Sequence, residues 1–155
     1  MSSKVFIGAD HRSYNLKNKI IPLLKQSGYQ VIDVGTYAPQ PPCDYPKISY
    51  AVAKKVANTK DARGILICWT GLGHTIAANK VPGAYAALCY NKKAALLSRQ
   101  HNNANILVLG AQFVPPKKMP AIINAWLKEK FEGGRHLRRV KQIKAIERKQ
   151  CEESQ

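Results

Sequence analysis

The chain has 155 residues, 45% of them apolar, and a formal net charge of +16. That length suits one domain with a real core and not two, and no apolar run approaches the roughly 18 residues of a membrane span, so no membrane partner is expected. The charge predicts a field that attracts anions (phosphorylated metabolites, nucleic acid or acidic surfaces) without choosing among them.

Met-Ser-Ser-Lys leads straight into a strand, with no secretory signal. Cys43, Cys68, Cys89 and Cys151 follow no metal-ligand spacing. They read as reduced thiols of a cytoplasmic protein. The first strand is Lys4 to Gly8, ending at Ala9-Asp10-His11. Ser13 is the expected N-cap of a helix whose Leu16, Ile20, Leu23 and Leu24 recur at helical spacing as far as Gly28. Pro22 falls inside it and should cost a hydrogen bond or a kink. Tyr29 to Val34 is the second strand, and a proline-rich loop follows from Thr36 to Pro46. Asp44-Tyr45-Pro46 opens a helix with Ile48, Ala51, Val52 and Val56 on its apolar face.

Gly64 to Ile67 is a short apolar run, read as a buried third strand. It ends at Cys68 and breaks at Thr70-Gly71-Leu72-Gly73, and the chain resumes as a helix over Thr75 to Lys80. Ala84 to Cys89 is the fourth strand, Lys92 to Gln100 a helix, and Asn105 to Leu109 the fifth strand. A helix after Pro115-Pro116 buries Met119, Ile122, Ile123, Trp126 and Leu127. The last helix runs from about His136 to Lys149, with Val140, Ile143 and Ile146 as a thin apolar stripe.

Strands alternating with helices imply an α/β fold: a three-layer, doubly wound, five-stranded parallel sheet of Rossmann or flavodoxin type, with strand order 2-1-3-4-5. Residues 1–133 form the α/β domain, 134–150 a C-terminal helix that serves as a dimer arm, and 151–155 a disordered tail. Ligands bind such sheets at the switch point between strands one and three, at their carboxyl ends. Asp10-His11 and the loop from Cys68 to Gly73 are therefore expected to meet. A strand, a glycine-rich turn and a helix leave backbone amides free for an anion, next to a thiol at Cys68 and a hydroxyl at Thr70. His101 lies at the other, amino end of the sheet and cannot reach that point in its own subunit. If it is catalytic, a second copy of the chain supplies it. From the residues alone, bland alternatives stand beside these readings. Cys68 can be a small buried hydrophobe and His11 a helix cap. His101-Asn102-Asn103 can be a polar turn, and Arg135 and Arg139 a solvated basic face.

The residues are also familiar as a set. Gly8-Ala-Asp-His11, Val31-Ile-Asp-Val-Gly-Thr-Tyr37, Asp44-Tyr-Pro46 and Gly64-Ile-Leu-Ile-Cys68 resemble the type B ribose-5-phosphate isomerases and the galactose-6-phosphate isomerase subunits. So do Thr70-Gly-Leu-Gly73, Ile76-Ala-Ala-Asn-Lys80, Ala86-Ala-Leu-Cys-Tyr90, Leu97-Ser-Arg-Gln-His-Asn-Asn103, Glu132-Gly-Gly-Arg-His136 and Arg139-Val140. The match runs from Lys4 to about Ile146. The resemblance implies interconversion of an aldose phosphate and a ketose phosphate, D-ribose 5-phosphate and D-ribulose 5-phosphate, through an enediolate, with no metal or other cofactor. It implies Cys68 as the base, and the amides of residues 69–73 (Trp69, Thr70, Gly71, Leu72, Gly73) with the Thr70 hydroxyl as the oxyanion cradle. His101 becomes the ring-opening acid and base, and Asp10, Asn102 and Tyr45 become sugar-hydroxyl ligands. His11, Arg135 and Arg139 form the phosphate grip. It also implies a homodimer with shared active sites; the sequence leaves open whether dimers pair into tetramers. An amide cradle at a helix start is expected to favour the Cys68 thiolate.

The chain departs from the family pattern at four places. Trp69 stands where glycine is usual. His74 stands where some members, those lacking the strand-end cysteine, carry a glutamate base, so it assists or perturbs the thiol or only faces solvent. Gln112 replaces a common phosphate-binding arginine, and Arg12-Ser13 replaces a small pair, so that Arg12 is a candidate substitute for the lost charge. These departures keep open the same chemistry on a hexose or tetrose phosphate. An alternative of another class is a basic nucleic-acid-binding protein on an isomerase fold. The chain carries no aromatic single-strand platform and no recognised reader motif for it.

Overall fold

A computed structural model describes residues 3–154. Five parallel strands, β1 (Lys4–Ala9), β2 (Gln30–Gly35), β3 (Arg63–Cys68), β4 (Ala86–Leu88) and β5 (Ile106–Gly110), form one sheet. Six α-helices alternate with them: α1 (Tyr14–Gln26), α2 (Tyr45–Ala57), α3 (Leu72–Ala78), α4 (Lys92–Asn102), α5 (Met119–Lys128) and α6 (Gly134–Glu153). The doubly wound parallel fold is the expected one, but its strand order is 2-1-3-5-4 rather than 2-1-3-4-5. The exchange follows from burial. All five residues of β5 are buried, which suits an interior strand, whereas β4 has three half-buried residues and suits an edge. The switch point between β1 and β3 is unaffected.

Side chains alternate across the sheet as the pleat requires. Val5, Ile7, Ile65, Ile67, Leu107 and Leu109 pack under α1 and α5, around Ile20, Leu24, Ile123 and Trp126. Phe6, Leu66, Ile106 and Val108 pack on the other face against Ile48, Val52 and Val56 of α2 and Ala78 of α3. Pro22 is accommodated inside α1, which runs through it to Gln26. Helix α6 starts two residues before the expected His136 and continues to Glu153. Residues 151–153, expected in a disordered tail, are thus helical, and Gln155 lies outside the described residues.

One polar feature secures the loop that leads to the site. Lys17, fully buried on α1, donates to Asp33 of β2 at 2.5 and 2.6 Å and to the Thr36 carbonyl at 2.7 Å. Lys17 falls on the same face as Ile20 and Leu24. Its place in the apolar stripe was the available signal that this charge is internal.

Candidate active site

The carboxyl ends of β1 and β3 meet as expected. Ala9 is opposite Ile67 in register, which sets Asp10 beside Cys68. Asp10, not Ser13, is the capping side chain: Asp10 Oδ1 accepts from the Ser13 amide at 3.1 Å, while Ser13 is buried and makes no cap bond of its own. The reason is a 3₁₀ turn, His11–Ser13, that precedes α1 and moves the first free amides back to the aspartate. The Cys43 amide donates to His11 Nδ1 at 3.2 Å. In the neutral ring this leaves the proton on Nε2, so that edge offers a donor to a ligand.

Cys68 closes β3 and is buried. The Gly71 amide donates to its Sγ at 2.8 Å. Gly71 has φ +84°, and a Cβ there would lie 2.4 Å from Leu88 Cδ1, so the turn that aims this amide requires glycine. The thiol is raised above its ordinary value, chiefly by burial. The Gly71 amide lowers it, the Asp10 charge raises it, and the Thr70 amide lowers it. The expectation of a favoured thiolate is therefore corrected: desolvation outweighs the amides. Two amides of the expected oxyanion cradle, those of Thr70 and Gly71, face the sulfur instead. The Leu72 amide donates to Thr70 Oγ1 at 3.3 Å.

Around this centre stand the residues that depart from the family pattern. Trp69 is 47% exposed and lines a cavity of about 540 Å³ with Arg12, Lys19, Leu16, Ile20 and Lys117. Arg12 and Trp69 thus share a wall beside the loop. The Gln112 amide donates to the Trp69 carbonyl at 2.8 Å, so the ends of β3 and β5 are tied together there. The Tyr45 ring lies against Gly73, where a Cβ would be 2.6 Å from Tyr45 Oη.

His74 is fully buried, and so does not face solvent. Its Nδ1 is 2.6 Å from Ser49 Oγ, and its ring meets Tyr45 edge-on at 5.6 Å. The Ser49 hydroxyl donates to the Tyr45 carbonyl at 3.0 Å. With its one proton used there, it accepts from Nδ1–H, leaving Nε2 as a bare lone pair without a partner. Burial pushes the imidazole down to about 4, so the ring is neutral at physiological pH.

The other predicted site residues lie at the far edge of the sheet. Asn105, just after α4, accepts from the Gly64 amide at 2.8 Å, at the amino start of β3. The six residues of β3 separate that edge from Cys68 by about 16 Å at the usual rise per residue. His101 sits in the last turn of α4 rather than beyond the helix, with exposed Asn102 next to it. Its ring stacks on His136 at 4.1 Å and 9°. Arg135 and Arg139 are exposed at the start of α6. A cavity of about 870 Å³ is at this amino edge, bounded by Arg63, Tyr85, Leu137, Lys144 and Glu147. It is remote from the Cys68 loop, and size alone does not make it the chemical centre.

The structure therefore gathers Asp10, His11, Tyr45, Cys68, Trp69, Thr70, Gly71, Leu72, Gly73 and His74 at one edge, and His101, Asn102, Arg135 and Arg139 at the other. Sequence reasoning missed Ser49, one turn beyond Tyr45, and His136, which lies inside the quoted Glu132-to-His136 motif.

Residues 5–143 match the family model described as Ribose/Galactose Isomerase. The chain is 50% identical to Clostridium thermocellum ribose-5-phosphate isomerase B, covering 94% of this chain and 98% of that one, with a TM-score of 0.90. It is 44% identical to ribose-5-phosphate isomerase B from Mycoplasma genitalium, solved with bound ribulose-5-phosphate, covering 96% and 98%, with a TM-score of 0.91. A D-erythrulose-4-phosphate isomerase from Pectobacterium atrosepticum is 40% identical over 142 residues, covering 90% of this chain and 91% of its own.

Proposed function

The chain belongs to the ribose/galactose isomerase family, and from that premise we propose that it interconverts D-ribose 5-phosphate and D-ribulose 5-phosphate. The observation that carries the reading is Cys68: a thiol at the switch point, held by the Gly71 amide at 2.8 Å, with Asp10 alongside. As thiolate, Sγ removes the proton from C2 of the open-chain aldose and returns it to C1 of the enediolate. The Gly71 amide limits the cost of the negative sulfur. The Thr70 hydroxyl and the Gly73 amide, both on the same turn, hold the developing oxyanion; preorganised donors of this kind contribute about 3 kcal/mol each. The His11 Nε2–H edge grips phosphate together with Arg135 and Arg139, whose guanidinium groups suit it. Asp10, Tyr45 and Asn102 hold sugar hydroxyls.

His101 opens the furanose ring as general acid and base. Since it stands at the opposite edge from Cys68, the working unit is a homodimer in which each copy lends His101, Asn102, Arg135 and Arg139 to its partner. Leu137, Ile143 and Ile146 of α6, exposed at 41%, 43% and 65%, support such pairing. Four free thiols fit a reducing, cytoplasmic setting. A second reading, the same chemistry on a four-carbon sugar phosphate, is supported by Trp69, a bulky side chain directly after Cys68 where glycine is usual in the family it resembles. The test is isomerisation of ribose 5-phosphate and erythrulose 4-phosphate by wild type and Cys68→Ala, in buffer with chelator. Turnover of the pentose phosphate that is lost in the variant is expected. Turnover of the tetrose phosphate alone would select the second reading, and full activity in the variant would remove Cys68 from the mechanism.

A further inference from the structure

His101 is half-buried in the last turn of α4. Among the described residues none hydrogen-bonds either nitrogen of its ring, and what the ring does meet is the face of a second imidazole. His136 lies against it, with ring centroids 4.1 Å apart and planes within 9° of parallel. His136 is buried, on the first turn of α6. Three local features set it there. The Glu132 amide donates to the Gln100 carbonyl at 3.1 Å, one residue before His101. Arg99 Nε, from the same turn of α4, donates to the Glu129 carbonyl at 3.4 Å. Gly133 and Gly134, with φ +69° and +51°, then turn the chain into α6, where the His136 amide donates to the Gly133 carbonyl at 3.0 Å.

A face-to-face stack leaves the edges of both rings open, because imidazole nitrogens donate and accept in the plane of the ring. The stack fixes the plane of the His101 ring while its two nitrogens stay available to a sugar. The platform also suits a group that must gain and lose a proton. The His136 imidazole is pushed below its ordinary value by burial first, then by His101 and Arg135; Glu132, whose Oε2 is 3.5 Å from His136 Nε2, raises it, and Arg139 lowers it further. His136 is therefore neutral at physiological pH, and protonation of His101 meets no second imidazolium stacked on it.

We propose that His136 is a positioning residue for ring opening: its imidazole is the platform that holds the His101 ring in the plane from which it serves the partner's site. The proposal rests on the reading of His101 as the ring-opening acid and base. His136 acts through His101 and exchanges no proton with the sugar.

The test is a double-mutant cycle on the full chain, followed with ribose 5-phosphate. His136→Ala should lower kcat about 10- to 100-fold, the scale of a misplaced catalytic group, and leave KM close to wild type. His136→Phe restores a flat ring against His101 and should recover most of the loss. In a His101→Asn background, His136→Ala should cost nothing further. A merely structural role would read differently. Arg135 and Arg139 flank His136 on α6, so a disturbed helix start would raise KM through the phosphate grip and add to the loss in His101→Asn. Additive losses, a rise in KM alone, an unchanged kcat in His136→Ala or no recovery in His136→Phe would overturn the proposal. Proton NMR reads the stack without turnover: the His101 ring protons should lie upfield in wild type and move downfield in His136→Ala. Absence of that change would overturn the platform. The same change in a chain that turns over no ribose 5-phosphate would overturn the isomerase reading and, with it, the role in ring opening.

Discussion

Cys68 ends β3 at the carboxyl edge of the sheet, whereas His101 ends α4 beside its amino edge, where Asn105 bonds Gly64. No rotation of side chains closes a gap set by the length of a strand. A mechanism that uses both residues must draw them from two copies of the chain.

Burial holds Cys68 protonated beyond its ordinary range, against the pull of the Gly71 and Thr70 amides. Activity that requires the thiolate rises with pH, so kcat/KM for ribose 5-phosphate should still be climbing on the alkaline side of neutrality. Cys68→Ala should lose about 10²–10⁴ of kcat, the usual contribution of a positioned base. His74 should not rescue it, because its imidazole is fully buried and burial pushes its pKa down to about 4, too weak a base for the task. A flat profile across neutral and alkaline pH would contradict the assignment.

His74 makes a separate prediction about stability. Its pKa is about 4 in the folded chain and close to 6.5 when unfolded. The unfolded state therefore takes up the proton first as pH falls. The stabilisation is complete above about pH 6.5 and disappears as pH drops through 4, an effect of about 3 kcal/mol. Urea denaturation at neutral pH and near pH 4.5 should show the loss in wild type. His74→Asn, which keeps a donor for Ser49 but does not titrate, should show a smaller one.

Lys17 and Asp33 form a pair with one partner fully buried. Lys17→Ala leaves the carboxylate and the Thr36 carbonyl without their donor, a change that costs about 3–5 kcal/mol when a buried pair is broken. The loop from Thr36 to Asp44 also carries Cys43, which positions His11. The KM for phosphorylated substrate should therefore rise along with the loss of stability, as steady-state kinetics and denaturation together would show. A change in stability below 1 kcal/mol would contradict the pairing.

Trp69 and Arg12 share a cavity wall beside the turn that follows Cys68. Arg12→Ala should raise the KM for sugar phosphates with little change in kcat, since phosphate is held equally in ground and transition states. Trp69→Gly should raise kcat/KM for six-carbon relative to five-carbon substrates by opening the approach. Trp126 is fully buried and Trp69 half exposed. Substrate should therefore shield one of the two tryptophans from acrylamide, and unaltered quenching would place Trp69 outside the substrate's reach.

Much of this was legible in the chain. The apolar run Gly64–Ile67 and the helical stripes announced the sheet and its covering layers, and the loop chemistry at Asp10 and Cys68 announced the switch point. The order of β4 and β5 was not legible, because parallel pairing depends on which strand is buried on both sides, and both read locally as apolar. The state of Cys68 was not either: a motif shows the amides but not the desolvation that outweighs them. Lys17 and Ser49 were hidden by polar identities that count as surface until the helix face is known. His136 was hidden because its role depends on stacking with a residue more than thirty positions away.

The most direct test of the shared site co-expresses Cys68→Ser and His101→Asn chains with different tags and isolates the mixed species. If each site combines Cys68 of one copy with His101 of the other, the mixed dimer contains one intact site and one doubly defective one. It should then show about half the wild-type activity, although each variant alone is inactive. An inactive mixed dimer, or chains that never associate, would contradict the account.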